Sequence, residues 1–281
     1  MRTYAHPEVL VETEWVRQNL GRPGVRLVEI DLDTQAYEAG HIPGSVAFNW
    51  RYQLQDQVQR DIISVLDFEK LAGNAGILPQ DTVIVYGDNH NWFAAYGFWL
   101  FKLYDHADVR LMNGGRNKWL GEPDRPLTVQ STKVNPVTYR VAQVHEEFRA
   151  RLSDALDAAT SGEVNLVDVR TPDEFTGKII APAGMTETAQ RGGHIPGARN
   201  VPWNFAVNPD GTFKSVDELS AIYLGPQGID PSKETIAYCR IGERSSHTWF
   251  VLHYLLGMED VRNYDGSWTE YGSLIGVPIE K

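Results

Sequence analysis

The sequence predicts an α/β protein made of two tandem copies of one domain, each a mostly parallel sheet with helices on both faces. Three observations predict it. The chain has 281 residues, a length that suits two domains of ordinary size. Its later half repeats its earlier half: residues 76–127 align without a gap on 228–279, with identities that include Gly76/Gly228, Pro79/Pro231, Ile84/Ile236, Tyr86/Tyr238, Phe98/Phe250 and Asp108-Val109-Arg110/Asp260-Val261-Arg262. Within each copy, short apolar runs alternate with longer ones, the order that builds a parallel sheet with crossover helices. The period is far longer than that of a solenoid, so it marks a duplicated domain.

The elements follow in the same order in both copies. Val25–Ile30 and Val164–Val169 are short apolar runs and read as buried strands. His41-Ile42-Pro43-Gly44 then matches His194-Ile195-Pro196-Gly197, and Trp50 matches Trp203; the second copy carries an extra stretch near Gly177–Gln190. Thr82–Tyr86 and Thr235–Tyr238 read as a further strand. The apolar and aromatic stretches Trp92–Tyr104 and Ser245–Leu256 are long enough for a helix. Val109–Met112 and Val261–Tyr264 close each copy as a short strand before a glycine turn at Gly114 or Gly266. Pro123, Pro126 and Pro136 mark the connection. The predicted layout is an N-terminal domain over residues 1–125, a linker over 126–140 and a C-terminal domain over 141–281.

Composition narrows the function classes. Hydrophobic residues make up 42% and charged residues 22%, enough apolar material for two cores. A net charge of −11 repels nucleic acid backbones and anionic membrane surfaces, so neither is an expected partner, and an anionic substrate would need locally placed positive charge. The most apolar segment, Trp92–Tyr104, carries Lys102 and falls short of the ~18 residues of a membrane span. A single cysteine allows no internal disulfide, and residues 1–7 lack the apolar run of a secretion signal; a cytoplasmic location is expected. No His, Cys and carboxylate cluster has metal-ligand spacing, and Gly114-Gly115 reads as a turn rather than a nucleotide loop. No metal or cofactor is expected.

The chemistry sits where the copies differ. The junction Tyr238-Cys239-Arg240-Ile241-Gly242-Glu243-Arg244-Ser245-Ser246 joins a strand to a helix through a tight loop, and the first copy has Gly87 where the second has Cys239. Strand, tight loop and helix N-terminus make an anion site, because the loop amides and the helix dipole point at one spot. Gly242 lets the backbone turn tightly, and Ser245 or Ser246 can cap the helix. With Arg240 and Arg244 adding positive charge, this setting is expected to lower the Cys239 thiol pKa and hold a thiolate or persulfide. A cysteine can also be a small buried hydrophobe; its place at this junction, with two arginines close by, favours the nucleophile.

On these residues the chain resembles the two-domain rhodanese family over residues 8–280. The shared features are the duplicated domain, the His-Ile-Pro-Gly in each copy, Cys239 opening a six-residue loop, and Asp265-Gly266-Ser267-Trp268 near the end. The resemblance implies sulfur transfer in two half-reactions. The Cys239 thiolate takes the outer sulfur of a donor such as thiosulfate and releases sulfite; the persulfide then passes that sulfur to cyanide or a thiol, with thioredoxin among the candidate acceptors. It implies that the amides of Arg240, Ile241, Gly242, Glu243, Arg244 and Ser245 stabilise the persulfide. Cys239-Arg240 is similar to the thiosulfate members, whereas 3-mercaptopyruvate members carry a small uncharged loop, and that activity is the alternative. Ile241 departs from the basic residue of the thiosulfate members, and Glu174 stands where many members have a basic one. Arg244 and Arg191 are the expected substitutes, Arg191 as a ligand of the donor's sulfonate. Trp92 lies in the first copy's version of the loop, which in the family faces the other domain's site, so it is a candidate pocket residue.

Asp168 and Arg170 read as structural partners near His194, and His41 and His194 as anchors of their loops. Two rival classes remain. Cysteine phosphatases place five residues between cysteine and arginine, whereas Cys239 and Arg244 have four between them, a tighter cradle that suits one sulfur better than a phosphate. A non-catalytic binding module fits the first copy with its Gly87, but not the second.

Overall fold

The computed structural model describes residues 2–184, 187–225 and 228–281, so the extra stretch at 177–190 lies partly outside the described residues. The chain divides into two compact units. One holds residues 8–145 with 209–213; the other holds 1–7, 146–208 and 214–281.

In the first unit, strands β1 (Leu10–Val11), β2 (Val25–Asp31), β3 (Ser45–Asn49), β4 (Thr82–Tyr86) and β5 (Val109–Met112) form a parallel sheet in the order β1-β5-β4-β2-β3. In the second, β6 (Arg149–Ala150), β7 (Asn165–Asp168), β8 (Arg199–Asn200), β9 (Thr235–Tyr238) and β10 (Val261–Tyr264) repeat it as β6-β10-β9-β7-β8. Both are therefore α/β units of one topology.

The central strands explain why the apolar runs are continuous. Val83 to Tyr86 and Thr235 to Tyr238 are buried at every position, so both faces of β4 and β9 are covered. In the first unit Leu27, Ile42, Ile84, Tyr86, Met112 and Trp119 share one apolar cluster; in the second Leu166, Ile195, Ile236, Tyr238, Tyr264 and Trp268 share its counterpart. The helix Trp92–Leu103 buries ten of its twelve residues, against β2, β4 and β5. Among the described residues no helix is long and apolar enough to cross a membrane.

The His-Ile-Pro-Gly loops are pinned in the same way in each unit. His41 stacks on Tyr37 with ring centroids 3.6 Å apart and bonds its carbonyl through Nδ1; His194 stacks on Phe175 at 3.6 Å and bonds that residue's carbonyl. The buried hydroxyls of Tyr86 and Tyr238 accept from the amides of Ile42 and Ile195 at 3.3 and 3.1 Å. Both histidines thus work as loop anchors. The segment 126–145 contains no helix or strand. It runs along the first unit through bonds such as Thr128 N to His41 O, Val137 N to Gly73 O and His145 N to Leu103 O.

Candidate active site at Cys239

Cys239 follows the last residue of β9 directly, and the helix Glu243–Phe250 begins four residues later. Gly242 is the residue before the helix, with φ +97°, and a Cβ there would come within 2.9 Å of the Asp265 Cα. Only glycine makes this turn without strain at so close an approach. The turn aims an amide inward: Gly242 N donates to Cys239 Sγ at 3.1 Å. The hydroxyls of Ser245 and Ser267 lie 3.6 and 4.0 Å from the same sulfur, and the thiol donates to Glu243 Oε2 at 3.3 Å.

A second layer fixes the loop. Cys239 N donates to Ser267 Oγ at 3.0 Å, and Ser267 Oγ donates to Tyr264 O at 2.6 Å. Trp268 N and Thr269 N donate to the carbonyls of Cys239 and Arg240. Ser267 has φ +52°, a left-handed conformation that costs a non-glycine residue ~1–3 kcal/mol and is held here by these bonds. Asn263 bridges Ser245 and Ser246, accepting from Ser245 Oγ at 2.7 Å and donating to Ser246 Oγ at 3.0 Å. The motif 265–268 marked this turn in the sequence, but no sequence signal assigned Ser267 or Asn263 a part in it.

Of the predicted loop residues, Gly242, Glu243 and Ser245 meet the sulfur, and the electrostatics differ from those expected. Arg244 is buried and makes two bonds to the carboxylate of Glu174, at 3.0 and 3.1 Å, and Glu174 is itself buried. Burial works to raise Glu174, but Arg244 outweighs it and holds the carboxyl below its usual range; Arg244, despite its burial, is held firmly protonated. Arg240 is 4% exposed and bonds the carbonyl of Glu187. The expected lowering of the Cys239 thiol is overturned. Complete burial pushes it up, the Glu243 carboxylate adds to that, and Arg244 and Ser245 offset only part. Arg244's charge is already partnered by Glu174, and desolvation of a fully buried anion outweighs what remains.

Arg191 and Trp92 are the two remaining candidates. Arg191 donates to the carbonyls of Gly272, Val277 and Leu274, and Trp268 Nε1 donates to Arg191 O at 2.9 Å, so these bonds tie Arg191 to the segment that follows β10. Trp92 belongs to the first unit, where it starts the helix Trp92–Leu103 and meets Phe93 edge-on at 5.4 Å. Asp168 and Arg170 form a fully buried pair, and Arg170 also bonds Gly193 O at 2.7 Å and lies 4.6 Å from the Trp268 ring centre. Among the described residues no group of three or more His, Cys, Asp and Glu is placed to hold a metal ion.

An inward amide and two hydroxyls around one sulfur at a strand-to-helix junction suit a sulfur nucleophile. Comparison with known proteins identifies the family. Residues 12–122 and 149–274 each match the rhodanese-like domain. A Saccharopolyspora erythraea protein provisionally named a thiosulfate sulfurtransferase is 56% identical over 275 residues, covering 97% of this chain and 96% of its own. The sulfur carrier protein TtuD of Thermus thermophilus is 52% identical over 282 residues, covering 99% and 98%. Among solved structures, SseA from Escherichia coli, described with the 3-mercaptopyruvate sulfotransferases, superposes with a TM-score of 0.81 at 25% identity over 92% of this chain and 98% of its own.

Proposed function

The chain belongs to the rhodanese family of sulfurtransferases, and from that premise we propose that it carries sulfane sulfur from thiosulfate to cyanide or a thiol through a persulfide on Cys239. The Cys239 thiolate attacks the outer sulfur of thiosulfate, the sulfur–sulfur bond of the donor breaks, and sulfite leaves. The acceptor then takes the outer sulfur and returns Cys239 to its thiolate. The catalytic domain is residues 141–281; the N-terminal domain has no nucleophile, because Gly87 stands at the matching strand end. The observation that carries this reading is the Gly242 amide donating to Sγ at 3.1 Å. The amides of Arg240 to Ser245 and the nearby hydroxyls of Ser245 and Ser267 are the groups proposed to stabilise the persulfide. The names of the near relatives support thiosulfate as donor, and that of the Thermus protein supports a protein acceptor, thioredoxin being one candidate. Arg191 and Trp92 enter only as proposed donor-side residues. A single, unbridged cysteine supports a cytoplasmic setting.

One observation favours a second donor, 3-mercaptopyruvate. Arg240 and Arg244 are matched around the loop by Glu174 and Glu243, so these four side chains carry no net positive charge for a dianion. A singly charged donor suits that balance, and SseA is similar in fold. Comparing kcat/KM for the two donors decides between them. For either donor, Cys239→Ala is expected to abolish sulfur transfer and the gain of one sulfur atom on the chain, with the fold retained. Transfer by the variant would refute the persulfide role of Cys239.

A further inference from the structure

Glu243 is the feature of the site that anion binding does not explain. It is the first residue of its helix and 1% exposed; its Oε2 is 3.3 Å from Cys239 Sγ and its Oε1 3.6 Å from Arg244 Nε. Burying a carboxylate is costly, and its charge opposes formation of the adjacent thiolate. A carboxylate that stayed ionised throughout would therefore work against the nucleophile it touches. The conflict disappears if the two groups share one proton.

We infer that Glu243 is the base that takes the Cys239 proton and keeps it for as long as the sulfur is persulfidated. The inference rests on the sulfurtransferase reading above. In the first step the S–H bond breaks and an O–H bond forms on Glu243: Cys239–SH and Glu243–COO⁻ become Cys239–S⁻ and Glu243–COOH. The thiolate then takes the outer sulfur of thiosulfate and sulfite leaves with its two negative charges, giving Cys239–S–S⁻ beside Glu243–COOH. The pair carries one negative charge at every stage, so the buried loop never has to hold two. When the acceptor removes the outer sulfur, the proton returns to Cys239.

The other charged and titratable groups around the pair are already engaged or lie a turn away. Arg244 is bonded to Glu174 from the short helix Pro172–Phe175, and Arg240 bonds Glu187 O. At the ends of the flanking strands, Asp168 is bonded to Arg170, and Asp265, just past β10, to Arg149. His247, buried one turn along the helix, packs edge-on to Trp203. Glu243 is the group whose carboxylate meets the sulfur.

The test follows Cys239 persulfidation by mass and sulfite release by single-turnover mixing with thiosulfate, across pH, for wild type, Glu243→Gln and Glu243→Asp. Loss of a general base is worth about 10²-fold or more. Glu243→Gln is expected to slow persulfidation by about that factor at neutral pH and to replace the wild-type acid limb with a rate that climbs with pH; Glu243→Asp is expected to keep the acid limb. An equal or faster Gln variant, the result if Glu243 only disfavours the thiolate by its charge, overturns the inference. So does a slower variant with the wild-type pH profile. A measurement on the wild type serves if the variants do not fold. Persulfidation at neutral pH, corrected for the proton sulfite takes up, should release no proton; one proton per persulfide overturns the inference. A wild type that forms no persulfide overturns the sulfurtransferase reading itself, and this inference with it.

Discussion

Asp31 ends β2 of the first unit, at the place where the second unit has Arg170. Its Oδ1 accepts from Asp88 N at 2.6 Å. Burial pushes its carboxyl up to about 8, and the Asp88 charge works in the same direction. The folded value lies above the unfolded one, so the protonated form is what folding favours. Stability is complete below the unfolded value of 3.8 and is lost as pH rises through about 8. Asp31→Asn keeps an oxygen for the Asp88 amide and removes the charge. It is expected to stabilise the first unit by on the order of 2 kcal/mol at neutral pH. Urea unfolding at a series of pH values checks this. The gain of the variant over the wild type should grow from acid to mildly alkaline pH, and a constant difference would refute it.

At the level of elements, the site is one strand, one loop and one helix, locked from outside by the pair Arg244 and Glu174. Both side chains are nearly inaccessible, at 4% and 0%. Removing one partner of a buried pair leaves an uncompensated charge and costs ~3–5 kcal/mol, whereas replacing both by apolar groups is often neutral. Glu174→Ala is therefore expected to destabilise the second unit by about 3 kcal/mol, and the double change Glu174→Met with Arg244→Met to recover most of it. Denaturant midpoints of the single and double variants measure this, and a single variant within ~0.5 kcal/mol of wild type would show the pair to be marginal. The same pair shows what the sequence could not convey. The strand, the cysteine, the glycine turn and the helix lie within sixteen residues and were readable as a local pattern. Glu174 is 70 positions from Arg244, and nothing local pairs them. Counting both arginines as available charge was what made the thiol look acidic. The two-residue strands β1, β6 and β8 were also beyond reach, since two residues define no period.

Across the whole molecule, duplication made the fold legible. Each copy supplied a second sighting of the same apolar runs, and strands 82–86, 235–238, 109–112 and 261–264 have the limits the repeat predicts. What duplication does not preserve is the chemistry. Each unit buries an acid in its second strand, but Glu29 is met by Arg116 from the helix Gly115–Gly121, and Asp168 by Arg170, two residues away. In the alignment of the copies, Trp268 stands at the place of Arg116. The strand end has diverged as well. A Cβ on Gly87 would meet Ile30 O at 2.3 Å and Asp31 Oδ1 at 2.7 Å, backbone and side chain that approach the glycine directly. Asn91 fills the loop instead, accepting from Gly87 N at 3.0 Å and donating to Met112 O at 2.7 Å. A cysteine restored there would displace β2 and face the Asp31 carboxyl, with a carboxamide in the loop. Gly87→Cys is accordingly expected to destabilise the first unit by about 2 kcal/mol or more, the range of overpacked cores, and to leave the protein with a single persulfide, on Cys239. Peptide mass analysis after thiosulfate treatment counts the sulfurs at each position. A persulfide at position 87 in a variant of undiminished stability would mean that the cradle, rather than the cysteine, survived in the first copy.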